Sequence, residues 1–166
     1  MKKYLTLFLL LALGFVQMAR AEDATLYLVR HAEKLADSDP GLTEQGHARA
    51  AALAVLLKDV GVSKVYSTDY KRTRQTAEPV AKQKGLEISL YNPRAFQEFA
   101  TGLKAEFLAE KKPMLVVGHS NTTPYLATLL TGKEFPMLSE DQYDHIYKVT
   151  IAEDGSLQAA IELFNP

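Results

Sequence analysis

Residues 24–31 read ATLYLVRH, and the way this run ends decides the fold. Residues 24–29 are apolar, short and rich in β-forming side chains, too brief for a helix of useful length and suited to a buried strand. The strand stops abruptly at Arg30-His31, and Asp37, Ser38, Asp39, Pro40 and Gly41 then mark residues 31–42 as a loop. Thr43 is a good helix N-cap, and Glu44 places an acid in the first turn where the dipole favours it. An Ala/Leu-rich helix is expected over residues 44–59, closed by Gly61.

The alternation continues along the chain. KVYS at 64–67 predicts a second strand, and residues 70–84 a helix containing Pro79 and ending at Gly85. Residues 86–91 read as a third extended segment, 93–99 as a loop and 101–110 as a helix. MLVV at 114–117 predicts a buried central strand running into Gly118-His119-Ser120, with a helix over 121–130 that tolerates Pro124 in its first turn. Residues 146–151 and 157–164, joined through Asp154-Gly155, read as a closing β-hairpin. Strands alternating with helices imply an α/β fold with a mostly parallel sheet and an antiparallel edge. Ligands in such folds sit beyond the carboxyl ends of the strands, which is where Arg30-His31 and His119 fall.

The chain has 166 residues, 47% hydrophobic and 23% charged, which suits one globular core. With 19 Lys and Arg against 20 Asp and Glu, nothing points to nucleic acid or a polybasic membrane patch. Cysteine is absent, which excludes disulfides, thiolate nucleophiles and Cys-ligated metals. Lys2 and Lys3 precede an apolar run at 4–16, and Ala19-Arg20-Ala21 supplies small residues at cleavage-site spacing. Those thirteen residues rise about 20 Å as a helix, short of the roughly 30 Å hydrocarbon core. The reading is a signal peptide over 1–21, a single domain over 22–166, a periplasmic or secreted location, and no span after cleavage. Without Lys2, Lys3 and Arg20 the balance becomes 16 against 20, mildly acidic.

Three strand ends carry chemistry. Beside Arg30-His31 stands Ser67-Thr68-Asp69-Tyr70-Lys71-Arg72-Thr73-Arg74-Gln75-Thr76, whose cations at a helix N-terminus oppose the dipole and call for an anion. Arg72 shares a helix face with Gln75 and Thr76 and is expected to point inward; Arg74 lies about 200° away and is expected at the surface. The third piece is Val117-Gly118-His119-Ser120-Asn121, a strand, a close-approach glycine, a histidine and a helix start. Two histidines, two guanidiniums and a helix N-terminus in one crevice suit a phosphoryl group, with no metal or cofactor needed. His47 and His145 are expected at the surface or in packing.

At these residues the sequence resembles the histidine phosphatase superfamily, the phosphoglycerate-mutase-like proteins of branch 1. The resemblance rests on Leu28-Val29-Arg30-His31, on Leu42-Thr43-x-x-Gly46, on Ser67…Arg72-x-x-Gln75-Thr76-Ala77 and on Val116-Val117-Gly118-His119. It implies a three-layer α/β/α sandwich, a phosphohistidine intermediate on His31, and a phosphate pocket of Arg30, Arg72 and a protonated His119. It places an acidic residue in the interval that holds Glu98, expected as the general acid with Phe96 and Phe99 desolvating it; Glu33 and Asp69 are the rivals. Ala32 stands where the family commonly has Gly, and Lys34 where it commonly has Ser.

The expectation is an exported, metal-independent phosphatase acting on a small-molecule or envelope phosphomonoester. The alternatives are a phosphohistidine-protein phosphatase, a mutase-like phosphotransferase, and a non-catalytic module that binds phosphoryl ligands. The short span between Gly85 and Lys112 leaves little room for a mutase's capping insertion, which favours hydrolysis. The rest of the substrate is expected to meet residues 35–40, residues 96–102, Thr122 and Thr123.

Overall fold

A computed structural model describes residues 24–166; the signal peptide expected at 1–21 lies outside the described residues. The chain runs β1 (Thr25–Arg30), α1 (Glu44–Leu56), β2 (Lys64–Thr68), α2 (Lys71–Lys84) and β3 (Ile88–Tyr91). A 3₁₀ turn at Pro93–Ala95 leads into α3 (Phe96–Glu110), then β4 (Met114–Gly118), α4 (Thr122–Thr131), β5 (His145–Ile151) and β6 (Leu157–Leu163). The six strands form one sheet in the order β3-β2-β4-β1-β5-β6. The first four of these pair in parallel, while β5 runs antiparallel to both β1 and β6.

Period-two alternation divides the strand residues between two cores. Leu26, Leu28, Met114 and Val116 pack on the α3 and α4 side with Leu103, Phe107 and Leu126. Val29, Val65, Leu115 and Val117 pack on the α1 and α2 side with Leu53, Ala77 and Val80. Helices therefore cover both faces of the sheet, giving three layers. No helix among the described residues is long and apolar enough to cross a membrane.

Local chemistry accounts for the ends of the elements, with two corrections. Thr43 caps α1 by accepting from the Gly46 N–H at 3.0 Å. That helix stops at Leu56, not at residue 59: the Leu57 N–H closes on Leu53 and Val55, and residues 57–60 continue as turns anchored by the buried Leu57 side chain. Gly85 ends α2 with φ of 65°, the left-handed conformation that glycine adopts without strain. The second correction is α3, which begins at Phe96, five residues before the expected start. Phe96, Ala100, Leu103 and Phe107 form its buried stripe at helical spacing, so residues 96–102 are helix.

Candidate active site

Register brings the first two pieces together. Arg30 pairs with Gly118 across β1 and β4, so His31 and His119 are the next residues on adjacent strands. The His31 N–H donates to the Gly118 carbonyl at 2.9 Å, and the two imidazoles meet edge to face at 5.6 Å between centroids. A Cβ on Gly118 would lie 2.8 Å from Thr123 Oγ1 and 2.9 Å from Thr122 Oγ1, so a side chain there would push aside the hydroxyls that bond the Val29 carbonyl and the His119 N–H.

His31 is 3% exposed, and its Nδ1 lies 2.8 Å from the Ala32 carbonyl oxygen. That oxygen only accepts, so Nδ1 carries the proton and Nε2 keeps the lone pair. Burial, with Arg30, His119 and Arg72 nearby, lowers the His31 pKa from 6.5 to about 3. The imidazole is therefore neutral across the physiological range. Helix α2 holds the loop that follows: Thr76 Oγ1 accepts from the Ala32 N–H at 2.9 Å, and Gln75 Oε1 from the Leu42 N–H at 2.8 Å. Ala32 is buried with ordinary negative φ, since Lys111 is the one described non-glycine residue with positive φ. The Arg72-x-x-Gln75-Thr76-Ala77 pattern thus combines one cavity residue, two loop clamps and a fully buried Ala77.

Arg30 has a side chain only 2% exposed. Its Nη1 donates to the carbonyls of Ser139, Glu140 and Gln142 at 2.7, 3.2 and 3.0 Å, and its plane lies 4.2 Å from the centre of the Tyr143 ring. Arg72 points inward as its helical position requires, with 15% of its side chain exposed and its guanidinium 4.5 Å from the Tyr70 ring. Arg74 is half exposed and pairs with Asp69. Both Arg30 Nε and Arg72 Nε are buried without a protein partner, donors of the kind that bind an anion.

A buried hydroxyl chain orients His119. Thr73 Oγ1 donates to the carbonyl of Thr68 or Tyr70, at 2.9 or 3.0 Å, and Thr68 Oγ1 donates to Thr73 Oγ1 at 3.0 Å. The Thr68 hydroxyl therefore accepts from His119 Nε2–H at 3.0 Å, leaving Nδ1 to face Arg72 Nη2 at 3.4 Å. Burial and the two arginines lower the His119 pKa to about 4, so the protonated state expected from the sequence needs a nearby anion.

Arg30, His31, Arg72 and His119 line one cavity of about 390 Å³, joined by Tyr70 and the α4 entry at Ser120, Asn121 and Thr122. Glu98 is not brought there. Because α3 starts at Phe96, Glu98 occupies the exposed first turn and lines a separate depression with Tyr66, Leu90 and Phe99. The rivals are also elsewhere: Glu33 pairs with Arg49 at 2.8 Å, and Asp69 pairs with Arg74 at 3.1 Å. Thr123 bonds the buried Val29 carbonyl, outside the cavity wall. His47 is exposed on α1, and His145 pairs with Asp144.

Sequence reasoning missed Glu140, the one carboxylate on the cavity wall among the described residues. It also missed Thr68 as a ring anchor, and Tyr70 and Tyr143 as faces for the arginines. A hydroxyl at a strand end and an aromatic just before Lys71-Arg72 were available signals for Thr68 and Tyr70; the segment that carries Glu140 and Tyr143 has none.

The family model of the histidine phosphatase superfamily (branch 1) matches residues 26–106. A probable phosphoglycerate mutase GpmB from Erwinia tasmaniensis is 38% identical over 77 residues, covering 42% of this chain. The match spans about a third of that relative's length, 35%. Among solved structures, the protein histidine phosphatase SixA complexed with tungstate superposes with TM-score 0.70 at 23% identity, covering 84% of this chain and 96% of that one. A native mycobacterial glucosyl-3-phosphoglycerate phosphatase superposes with TM-score 0.64 at 17% identity, covering 86% and 98%. These structural likenesses are likenesses of fold.

Proposed function

Since the chain belongs to the histidine phosphatase superfamily, we propose that it is an exported phosphatase that hydrolyses phosphomonoesters through a phosphohistidine on His31. One observation carries this reading. The Nδ1–H contact to Ala32 reserves the Nε2 lone pair of a neutral His31, inside a cavity walled by Arg30, Arg72 and His119.

In the first step Nε2 bonds to phosphorus as the ester P–O bond breaks, and the departing oxygen takes a proton. Arg30 and Arg72 offset the charge on the equatorial oxygens. As the dianion arrives, His119 takes a proton from solvent at Nδ1, which gives up its contact with Arg72 Nη2 and donates to a phosphoryl oxygen, while Nε2–H stays on Thr68. In the second step water attacks phosphorus, the P–N bond breaks, and His31 is restored neutral while phosphate leaves with the water's oxygen. Glu140 stands at the solvent side of the cavity, where its carboxylate passes the first proton from water to the departing oxygen and accepts the second from the attacking water. Hydrolysis is favoured over mutase chemistry because Gly85 to Lys112 is filled by β3, a 3₁₀ turn and α3, with no capping insertion over the cavity.

The test is p-nitrophenyl phosphate hydrolysis by residues 22–166, in chelator, beside His31→Ala. Rapid quenching is expected to trap an acid-labile, alkali-stable phosphoryl adduct on His31. Glu140→Gln is expected to slow turnover more as the leaving group becomes more basic, and Glu98→Gln to leave it unchanged. Phosphate binding without turnover above the His31→Ala background would favour a binding module instead. Location is tested separately, by fractionating cells that express the full chain.

A further inference from the structure

Each cavity arginine faces a carboxylate of its own chain. Arg30 Nη2 lies 3.4 Å from Glu140 Oε2, and Arg72 Nη1 lies 3.8 Å from Asp39 Oδ1. The two halves of each pair differ sharply in burial. The guanidinium side chains are 2% and 15% exposed, while the carboxylates are 82% and 44% exposed. Both carboxylates sit on irregular segments, and Asp39 also accepts from the Lys71 N–H at 3.2 Å, at the start of α2. Asp39 thereby answers the electrostatic puzzle of the sequence: it is the built-in anion at a helix start crowded with cations.

We propose that Asp39 and Glu140 are exchangeable counter-ions that set how tightly the cavity holds a phosphate-class anion, and so how readily product leaves. The arginines are fixed: Arg30 by three backbone carbonyls and a tyrosine face, Arg72 by its helix and Tyr70. Their Nε donors have no protein partner, so each guanidinium retains capacity for an incoming oxyanion. The carboxylates stand at the solvent side at ion-pair distances, where a dianion repels them and water readily takes them up. A dianion entering the cavity therefore gives up part of its attraction to displace them, and they return when it departs.

This inference rests on the phosphatase reading, and its test is separate from turnover. Binding of inorganic phosphate is measured by calorimetry on residues 22–166, at neutral pH and low salt, for wild type, Asp39→Asn and Glu140→Gln. Each variant is expected to bind phosphate about threefold more tightly, and the pair together about tenfold, with the gain shrinking as salt is added. Glu134→Gln removes one exposed charge outside the cavity wall and controls for net charge; it is expected to leave phosphate affinity unchanged. Unchanged or weaker binding in Asp39→Asn and Glu140→Gln overturns the proposal. So does equal tightening in Glu134→Gln, which would make the effect one of overall charge. A wild type that binds no phosphate would instead bring down the phosphatase reading.

Discussion

A Cβ built on Gly46 would stand 2.2 Å from the carbonyl oxygen of Glu33. That carbonyl also receives the Thr43 N–H at 2.9 Å, so the start of α1 is pressed against the loop that follows His31. The glycine of Leu42-Thr43-x-x-Gly46 is needed for contact with backbone, which cannot rotate aside as a flexible side chain does.

Gly46→Ala is therefore expected to cost about 3 kcal/mol or more of stability, since the clash is with main chain. Any folded fraction should show a larger drop in kcat than in phosphate affinity, because the displaced loop carries the Ala32 carbonyl that sets the His31 tautomer. Urea denaturation and steady-state kinetics on the same preparation check both halves.

Thr68→Val removes the acceptor for His119 Nε2–H while keeping the β-branched shape. It is expected to lower kcat about tenfold to a hundredfold and to alter the pH profile, because the ring loses its fixed tautomer. Thr68→Ser should restore most of the activity and the wild-type profile. A Val variant with normal kinetics and normal pH dependence would remove Thr68 from the positioning of His119.

Acid is expected to weaken the fold before the carboxylates titrate. His31 and His119 have native pKa values of about 3 and about 4 against 6.5 when unfolded. Below pH 6.5 the unfolded chain takes up protons that the native chain refuses, so their contribution is complete above 6.5 and is lost as pH falls. Each histidine should remove about 1.4 kcal/mol per pH unit between roughly 6 and 5. Denaturation at pH 7, 6 and 5 measures the slope, and His119→Ala should roughly halve it. Added phosphate should flatten it, because a bound dianion favours the His119 imidazolium.

The strand ends were legible because they are punctuated: apolar runs stop at Arg30, Thr68 and Gly118, and helix starts follow. Arg72 and Arg74 could be told apart from helical angle alone, and their exposures of 15% and 52% follow from it. Glu98 misled because Pro93-Arg94 reads as a loop that continues, whereas the apolar spacing from Phe96 to Phe107 already sets a helix face. Glu140 was illegible for a different reason. Its segment is held to Arg30 by the carbonyls of residues 139, 140 and 142, and carbonyls belong to every residue type. The turns at 57–60 were hidden likewise, since Leu57 is as apolar as the helix before it.

The pairing of Arg30 with Gly118 has an implication for how such a chain tolerates changes in length. Deleting one residue within β4 would swing His119 to the opposite side of the sheet, since side chains alternate along a strand. Lengthening the segment between α4 and β5 away from residues 139–143 would leave both imidazoles where they are. The spacing of the two histidines is thus written as a count along two neighbouring strands, and insertions that spare this count are the ones the candidate site can absorb.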